Sequence, residues 1–345
     1  MGRPTLKDVA ARAGVSASAV SYALNDASTV RLAEATKQRV RQAARELGYV
    51  PNGVARSLQA RASRTIGVIL GKALTLARYA SIVDGLARGL RTEGFRISLL
   101  EEADALRGID DVRAGTLDGL IFIGHDDQGV PSALRDAIAE FRIAFVAVDC
   151  GSGAEQERYP TVDFDYGEGV RQSLAFLDGV DRLVYIRPGI DSSAEQARAR
   201  AIEEAAGASA LEVHTLTTDV TLGTIARFDA GDADRSHHHT LIRQLGEILA
   251  SWAGVPARSA VLCAWGTDAE AAYRTASMHA PGTQVVALAA GSLSPGLWPG
   301  LVYSRLPLEE GGRSAARLIV AAARGEDGAD ARAHLMLAPS LQHER

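Results

Sequence analysis

The chain of 345 residues is too long for one ordinary compact core, and its 47% apolar, 5% aromatic composition fits an α/β protein of two or three domains. It holds no run of about 18 uncharged apolar residues, and MGRPTLKDVAARAG lacks the apolar stretch of a secretory leader, which argues against a membrane helix and for the cytoplasm. The net charge of −5 hides an asymmetry: residues 1–64 carry 11 Lys and Arg against 4 acids, leaving 26 basic and 38 acidic residues for the remainder.

A basic head on an acidic body points the head, and only the head, at a polyanion. Thr5 followed by Asp8 makes a capping-box start, and Leu6, Val9, Ala10 and Ala13 then recur at helical spacing. Gly14 supplies a turn, Val15 a plug, and Ser16 the N-cap of a second helix whose Val20, Ala23 and Leu24 face inward. From Ala17 to Ala23 that helix offers only Ser18, Ser21 and Tyr22 as polar reach. A third helix over about 33–47 carries Val40, Ala44 and Leu47 inward and ends at Gly48. Two helices joined by a tight Gly turn, with a third beside them, have the form of a helix-turn-helix head that lays its second helix in a DNA major groove. After Pro51, the segment Val54–Leu58 has room for one short helix, stable only when docked, and Gln59 to Arg64 reads as a basic linker.

TLKDVAARAGVSASAVSYALN, ARELGYVPNGVARSL and RTIGVIL together resemble the LacI/GalR family of bacterial transcriptional regulators. The resemblance is close over the head and hinge and looser over the rest. It implies a homodimer whose heads read a pseudo-palindromic operator of double-stranded DNA. Paired hinge helices would enter the central minor groove, with Leu58 as the wedge between base pairs and Ala55 beside it. The DNA-binding set that the resemblance implies is Thr5, Leu6, Ser16, Ala17, Ser18, Ser21, Tyr22, Asn25, Thr36, Ala55, Leu58 and Gln59. Within it, Ser16 and Asn25 suit phosphates, while Ala17, Ser18 and Tyr22 suit base edges. Two features depart from the family pattern: VRLAEATKQRV is two residues longer than the usual spacing, and Gln59 stands where some members carry a basic residue.

From residue 65 apolar runs alternate with amphipathic helices: Ile66–Leu70, a helix near 78–93, Ile97–Leu100, Leu120–Ile123 and Ala144–Val148. The rhythm restarts at Leu183–Ile186, then a helix at 194–206, Val213–Leu216, a helix at 240–253, Val261–Cys263, a helix at 267–278 and Val285–Leu288. Val302–Leu306 and a helix at 309–323 are expected to return to the first lobe. This βαβ order predicts parallel sheets with helices on both faces, and the resemblance implies two periplasmic-binding-protein-like, Rossmann-type lobes. The expected division is a head over 1–50, a hinge and linker over 51–64, and a core over 65–345. Within the core, one lobe takes about 65–163 and 292–325, the other about 164–291.

Ligands of such lobes sit at the carboxyl ends of the strands, between the lobes. The resemblance assigns an effector-binding role there to Arg78, Tyr79, Asp149, Arg198 and Asp268, with Arg200 nearly as good as Arg198; Asp149 and Asp268 suit helix capping as well. Ala289 and Ala290 stand where the family carries an acidic pair, which removes an acceptor for sugar hydroxyls or a purine. His237, His238 and His239 are adjacent, a spacing that favours a solvated loop or helix start over a metal site. Cys150 and Cys263 read as buried free thiols.

No catalytic motif, cofactor loop, metal site or membrane partner is expected. The reading is a cytoplasmic, dimeric DNA-binding regulator, most simply a repressor, whose DNA affinity answers to a small molecule between the lobes. One alternative is a regulator controlled by a protein partner or by nothing; another is a soluble binding protein with a vestigial head. With no heptad tail after residue 340, no tail-mediated tetramer is expected.

Overall fold

In the computed structural model the described residues are 4–24, 32–49, 63–124, 129–151, 158–224, 235–252, 254, 257–289, 297–326 and 333–343. The chain divides into two compact units, one ending at Ser63 and the other beginning at Arg64.

The first unit holds α1 (Leu6–Ala13), α2 (Ala17–Ala23) and α3 (Glu34–Leu47). Thr5 and Asp8 form a full capping box: the Thr5 hydroxyl oxygen accepts from the Asp8 amide, and the Asp8 carboxylate accepts from the Thr5 amide at 2.7 Å. Those hydrogen bonds from Thr5 hold the Asp8 carboxyl below its ordinary pKa. Gly14 closes α1 at φ 65°, a left-handed geometry that glycine adopts without a side-chain clash. Val9, Ala10, Val20, Ala23, Val40, Ala43 and Ala44 then bury against one another as the unit's small core. The Ser16 hydroxyl caps α2 by accepting from the Ala19 amide at 3.1 Å. Because α2 has only seven residues, Ser16→Ala is expected to cost about 1 kcal/mol, read as a roughly fivefold faster hydrogen exchange of the α2 amides. An unchanged exchange rate would show that tertiary packing alone sets the helix.

The second unit carries two six-stranded sheets. The first contains β1 (Thr65–Leu70), β2 (Arg96–Glu101), β3 (Gly119–Ile123), β4 (Phe145–Val148), β5 (Thr161–Phe164) and β11 (His334–Leu337), all parallel, in the order β11-β5-β4-β3-β1-β2. Its connecting helices are α4 (Ala77–Thr92), α5 (Ala105–Arg113) and α6 (Ser132–Phe141). The second sheet contains β6 (Arg182–Arg187), β7 (Glu212–Thr217), β8 (Ser259–Cys263), β9 (Gln284–Ala287), β10 (Val302–Arg305) and β12 (Ser340–His343). Their order is β12-β10-β9-β8-β6-β7, with β12 antiparallel on the edge. The helices α7 (Tyr166–Phe176), α8 (Ser193–Ala208), α9 (Arg235–Ser251) and α10 (Gly266–His279) belong to this half, and α11 (Leu308–Arg324) packs on α4.

The continuous apolar runs become strands buried on both faces, as parallel sheets require; β3 and β4 are buried at every residue. One expectation is corrected. Val302–Arg305 does not return to the first lobe: it pairs in parallel with β9 and extends the second sheet. The return is made by α11, whose apolar face packs with α4 beside the first sheet. The chain crosses once more between β11 and β12, because β11 pairs with β5 while β12 pairs with β10. Helices 105–113, 132–141 and 166–176 and strands 161–164, 334–337 and 340–343 add to the elements foreseen from the sequence.

In both sheets the strand order reverses beside a central strand, β1 in the first and β6 in the second. Residues that follow these strands, and their neighbours β3 and β8, therefore meet at the carboxyl edges where doubly wound sheets open a crevice.

Candidate functional site

In the head, the start of α2 leaves Ser16, Ala17 and Ser18 exposed, with Ser21 half-buried and Tyr22 42% exposed. The side chains foreseen as base readers thus lie on the outer face of a helix whose inner face is anchored by Val20 and Ala23. Thr5 is exposed, while Leu6 is half-buried against the head core. Thr36 lies in the first turn of α3, half-buried. Lys7, Arg12, Arg39, Arg41 and Arg45 are exposed on the same unit, and Arg12 is bound to Glu46 at 2.8 Å. Asn25, Ala55, Leu58 and Gln59 lie outside the described residues.

In the core, Arg78 sits in the first turn of α4, and Asp149 at the end of β4. The two are ion-paired; Arg78 Nε donates to Asp149 Oδ2 at 3.1 Å and its guanidinium also donates to the Tyr166 hydroxyl oxygen. The Tyr166 hydroxyl donates in turn to Asp149 Oδ1 at 2.7 Å. Asp149 has φ 57°, a left-handed conformation that Asp tolerates better than most residues. The turn is held by Asp163, whose Oδ1 accepts from the Cys150 and Gly151 amides, both at 3.1 Å. Burial and the nearby Asp149 charge raise the Asp163 pKa. The same burial pushes the Cys150 and Cys263 thiols up, which makes both poor nucleophiles.

Arg198 lies in the second turn of α8, beyond the Ser192 cap, and is 1% exposed. Its guanidinium stacks 4.6 Å from the Tyr166 ring centroid and is paired with Glu195. Glu195 is 0% exposed; it accepts from the Tyr185 hydroxyl at 2.7 Å and lies 3.7 Å from Arg187. Tyr166 therefore joins Arg78 and Asp149 to Arg198. A cavity of about 330 Å³ borders this network, lined in part by Asp149, Asp163, Tyr166, Ser193 and Gln196.

Asp268, in the first turn of α10, is engaged elsewhere: His237 Nε2 lies 2.9 Å from Asp268 Oδ1 and His237 Nδ1 lies 2.6 Å from Asp219 Oδ1. Burial alone would lower the His237 pKa, but the two carboxylates outweigh it and raise it to about 9. The ring thus bridges two carboxylates.

Two expectations change. Tyr79 is 0% exposed and its hydroxyl donates to the Gly124 carbonyl at 3.1 Å, so it is a core residue rather than a ligand contact. Its neighbour Arg78 points about 100° away, toward Asp149. The His run opens α9, which is the helix start expected as one of its two readings, but it is not solvated throughout: His237 is buried, His238 half-buried and His239 exposed. Arg200, held nearly as good a candidate as Arg198, borders the cavity. Ala289 is half-buried, and Ala290 lies outside the described residues. Sequence reasoning missed Tyr166, Glu195, Asp219 and His237; only the His run gave a visible signal.

Residues 5–52 match the family model described as bacterial regulatory proteins, lacI family. The HTH-type transcriptional regulator CelR of Thermobifida fusca is 29% identical over 338 residues, covering 94% of this chain and 93% of its own length. Residues 5–52 thus carry a LacI-family head, and along its length the chain is similar to bacterial transcriptional regulators of the LacI/GalR family. The HTH-type transcriptional repressor PurR of Vibrio atlanticus is 39% identical over 95 residues, 28% of each chain. Among solved structures, a transcriptional regulator CelR–cellobiose complex aligns over 99% of this chain and 98% of its own, with TM-score 0.61 and 25% identity. The lac repressor dimer bound to operator and the anti-inducer ONPF covers 99% and 98%, with TM-score 0.71 and 20% identity, a likeness of fold. The chain thus combines a LacI-type helix-turn-helix head with a two-lobed α/β core. Among the described residues no helix is long and apolar enough to cross a membrane.

Proposed function

We propose that this LacI/GalR regulator is a cytoplasmic repressor that binds a pseudo-palindromic operator as a homodimer and releases it when a small molecule occupies the cleft between its lobes. The observation that carries the DNA-binding half is the outer face of α2. Ser16, Ala17, Ser18 and Tyr22 stand clear of a buried Val20 and Ala23, on a segment with a net charge of +7. Small side chains permit close approach to base edges, the Ala17 methyl suits thymine, and Tyr22 reaches furthest. Phosphate contacts from the basic residues supply most of the affinity, so binding weakens steeply with salt. Thr5, Leu6, Ser21, Asn25 and Thr36 support this placement, and Ala55, Leu58 and Gln59 take the central minor groove. The chain's role is binding rather than catalysis.

The effector face is proposed to be Arg78, Asp149 and Arg198, with Tyr166 joining them. CelR is described in complex with cellobiose; here Ala289 offers only a methyl where an acidic acceptor is usual, so the favoured effector is less rich in hydroxyl donors. A second reading is a regulator without a small-molecule effector. It is favoured by one fact: Asp149, Arg198 and Asp268 are each already paired with a side chain within the protein.

Fluorescence anisotropy with promoter DNA from upstream of its own gene, against scrambled duplex, tests the proposal. Specific binding is expected to exceed non-specific binding by at least about 10³-fold, and Leu58→Ala is expected to erase most of that ratio while leaving scrambled-duplex binding intact. Equal affinity for both duplexes would reject the operator reading, and equal losses in the variant would reject the wedge. Thermal-shift screening of sugars, nucleosides and polyols separates the two effector readings.

A further inference from the structure

We propose that His237, His238 and Asp268 form a binding site for one divalent transition-metal ion, with zinc as the reference ion, at the carboxyl edge of the second sheet. One ligand atom from each of the three residues lies within 4.8 Å of the others. The groups come from two helix starts that the fold brings together, the first turn of α9 and the first turn of α10. Two imidazole nitrogens and a carboxylate oxygen are a donor set suited to zinc, with a fourth position left for water.

Adjacent residues on a helix diverge by about 100°, which argues against two neighbouring histidines sharing an ion. The packing overcomes it here. The rings of His237 and His238 lie edge to face with centroids 5.2 Å apart, and His238 Nε2 makes a long 3.3 Å contact to the Thr267 carbonyl. Thr267 precedes Asp268, so that contact already brings His238 to the right helix start. A tetrahedral ion with bonds near 2.0–2.1 Å needs neighbouring ligand atoms about 3.3 Å apart. His237 Nε2 and Asp268 Oδ1, now 2.9 Å apart, would open slightly as the ion displaces the Nε2 proton to solvent. The His238 ring would swing inward by at most about 1.5 Å to complete the set.

The surroundings also match a metal site. Asp219 accepts from His237 Nδ1 at 2.6 Å, the carboxylate–histidine arrangement that orients a ligating imidazole and raises its basicity. His237 and Asp268 are both buried while Asp219 is exposed, so the ligand pair is preorganised by its packing. An ion there would tie the segment after β7 to the starts of α9 and α10.

The test uses the full, untagged chain, stripped with a chelator and titrated with zinc alone by calorimetry, with bound metal counted by elemental analysis. One equivalent is expected. His238→Ala is expected to weaken binding at least 10-fold, and Asp219→Asn by about 10- to 100-fold. Cobalt in place of zinc is expected to give the visible bands of a tetrahedral centre without a thiolate charge-transfer band, which separates this site from Cys150 and Cys263. Metal-free His238→Ala is expected to melt with the wild type; should it fail to fold, Asp219→Asn decides. Absence of stoichiometric binding, or variants that titrate like the wild type, would overturn the proposal.

Discussion

Glu195→Ala is expected to destabilise the core unit by roughly 3–5 kcal/mol, because removing one partner of a buried ion pair leaves the other charge in a poorly solvated interior. Glu195 and Arg198 are 0% and 1% exposed. The lost carboxylate also accepts from the Tyr185 hydroxyl and faces Arg187 at 3.7 Å, so three donors lose a partner at once. Burial already pushes the Tyr185 hydroxyl pKa far up, so that group cannot relieve the excess positive charge by ionising. Stacking on Tyr166 retains part of the Arg198 interaction, and Glu195→Gln, which keeps shape and one acceptor, is expected to cost less than half as much. Urea unfolding of the three proteins measures this. The double variant Glu195→Leu with Arg198→Met is expected to recover most of the loss, since apolar isosteres often replace a buried pair at little cost. A loss under about 1 kcal/mol for Glu195→Ala would show that water or a neighbour solvates Arg198.

Those same residues mark where the sequence is legible and where it is not. The strands at 66–70, 120–123 and 183–186 announce themselves as apolar runs, because a strand covered on both faces has no polar alternation to blur it. Thr5, Gly14, Ser16 and Gly48 punctuate the head through local capping chemistry, which depends on residues only three or four apart. The strand at 161–164 is short and carries Asp163, whose burial depends on amides from a turn 12 and 13 residues away. The strands at 334–337 and 340–343 pair with partners far back in the chain, so periodicity alone cannot reveal them. In the site, Arg78 and Asp149 are recognisable from the family pattern. Tyr166 is not, because its value lies in touching Arg78 and Asp149 across 88 and 17 residues of sequence. His237 was visible as part of a run, but its role depends on Asp219 and Asp268, each on a different element. Local rules reach caps and cores; a charge network is written in the tertiary structure.

The contact of α4 with α11 yields the second large effect. A Cβ at Gly312 would lie 2.1 Å from the Ile82 carbonyl oxygen and 2.7 Å from the Leu86 amide nitrogen. A Cβ at Gly85 would lie 2.1 Å from the Glu309 carbonyl oxygen. These neighbours are backbone, so no rotamer change relieves the clash and the two helices must separate by about 1 Å. That gap would loosen the packing of Ile82, Leu86, Ala315 and Ile319, all 0% exposed. Gly312→Ala gains about 1 kcal/mol of helix propensity, yet overpacking of this kind costs typically 1–3 kcal/mol or more. With a backbone clash on top, the net expectation is a loss of about 2 kcal/mol or greater. Gly207 in the last turn of α8 supplies the opposite sign: a Cβ there meets nothing within 4 Å. Gly207→Ala is expected to stabilise the core by up to about 1 kcal/mol. Urea midpoints of the two variants bracket the wild type if the close approach of α4 and α11 is real. If both variants shift upward, propensity governs and the helices have room to spare. A downward shift confined to Gly312→Ala would place the second lobe's return path, through α11, among the most tightly fitted contacts of the core.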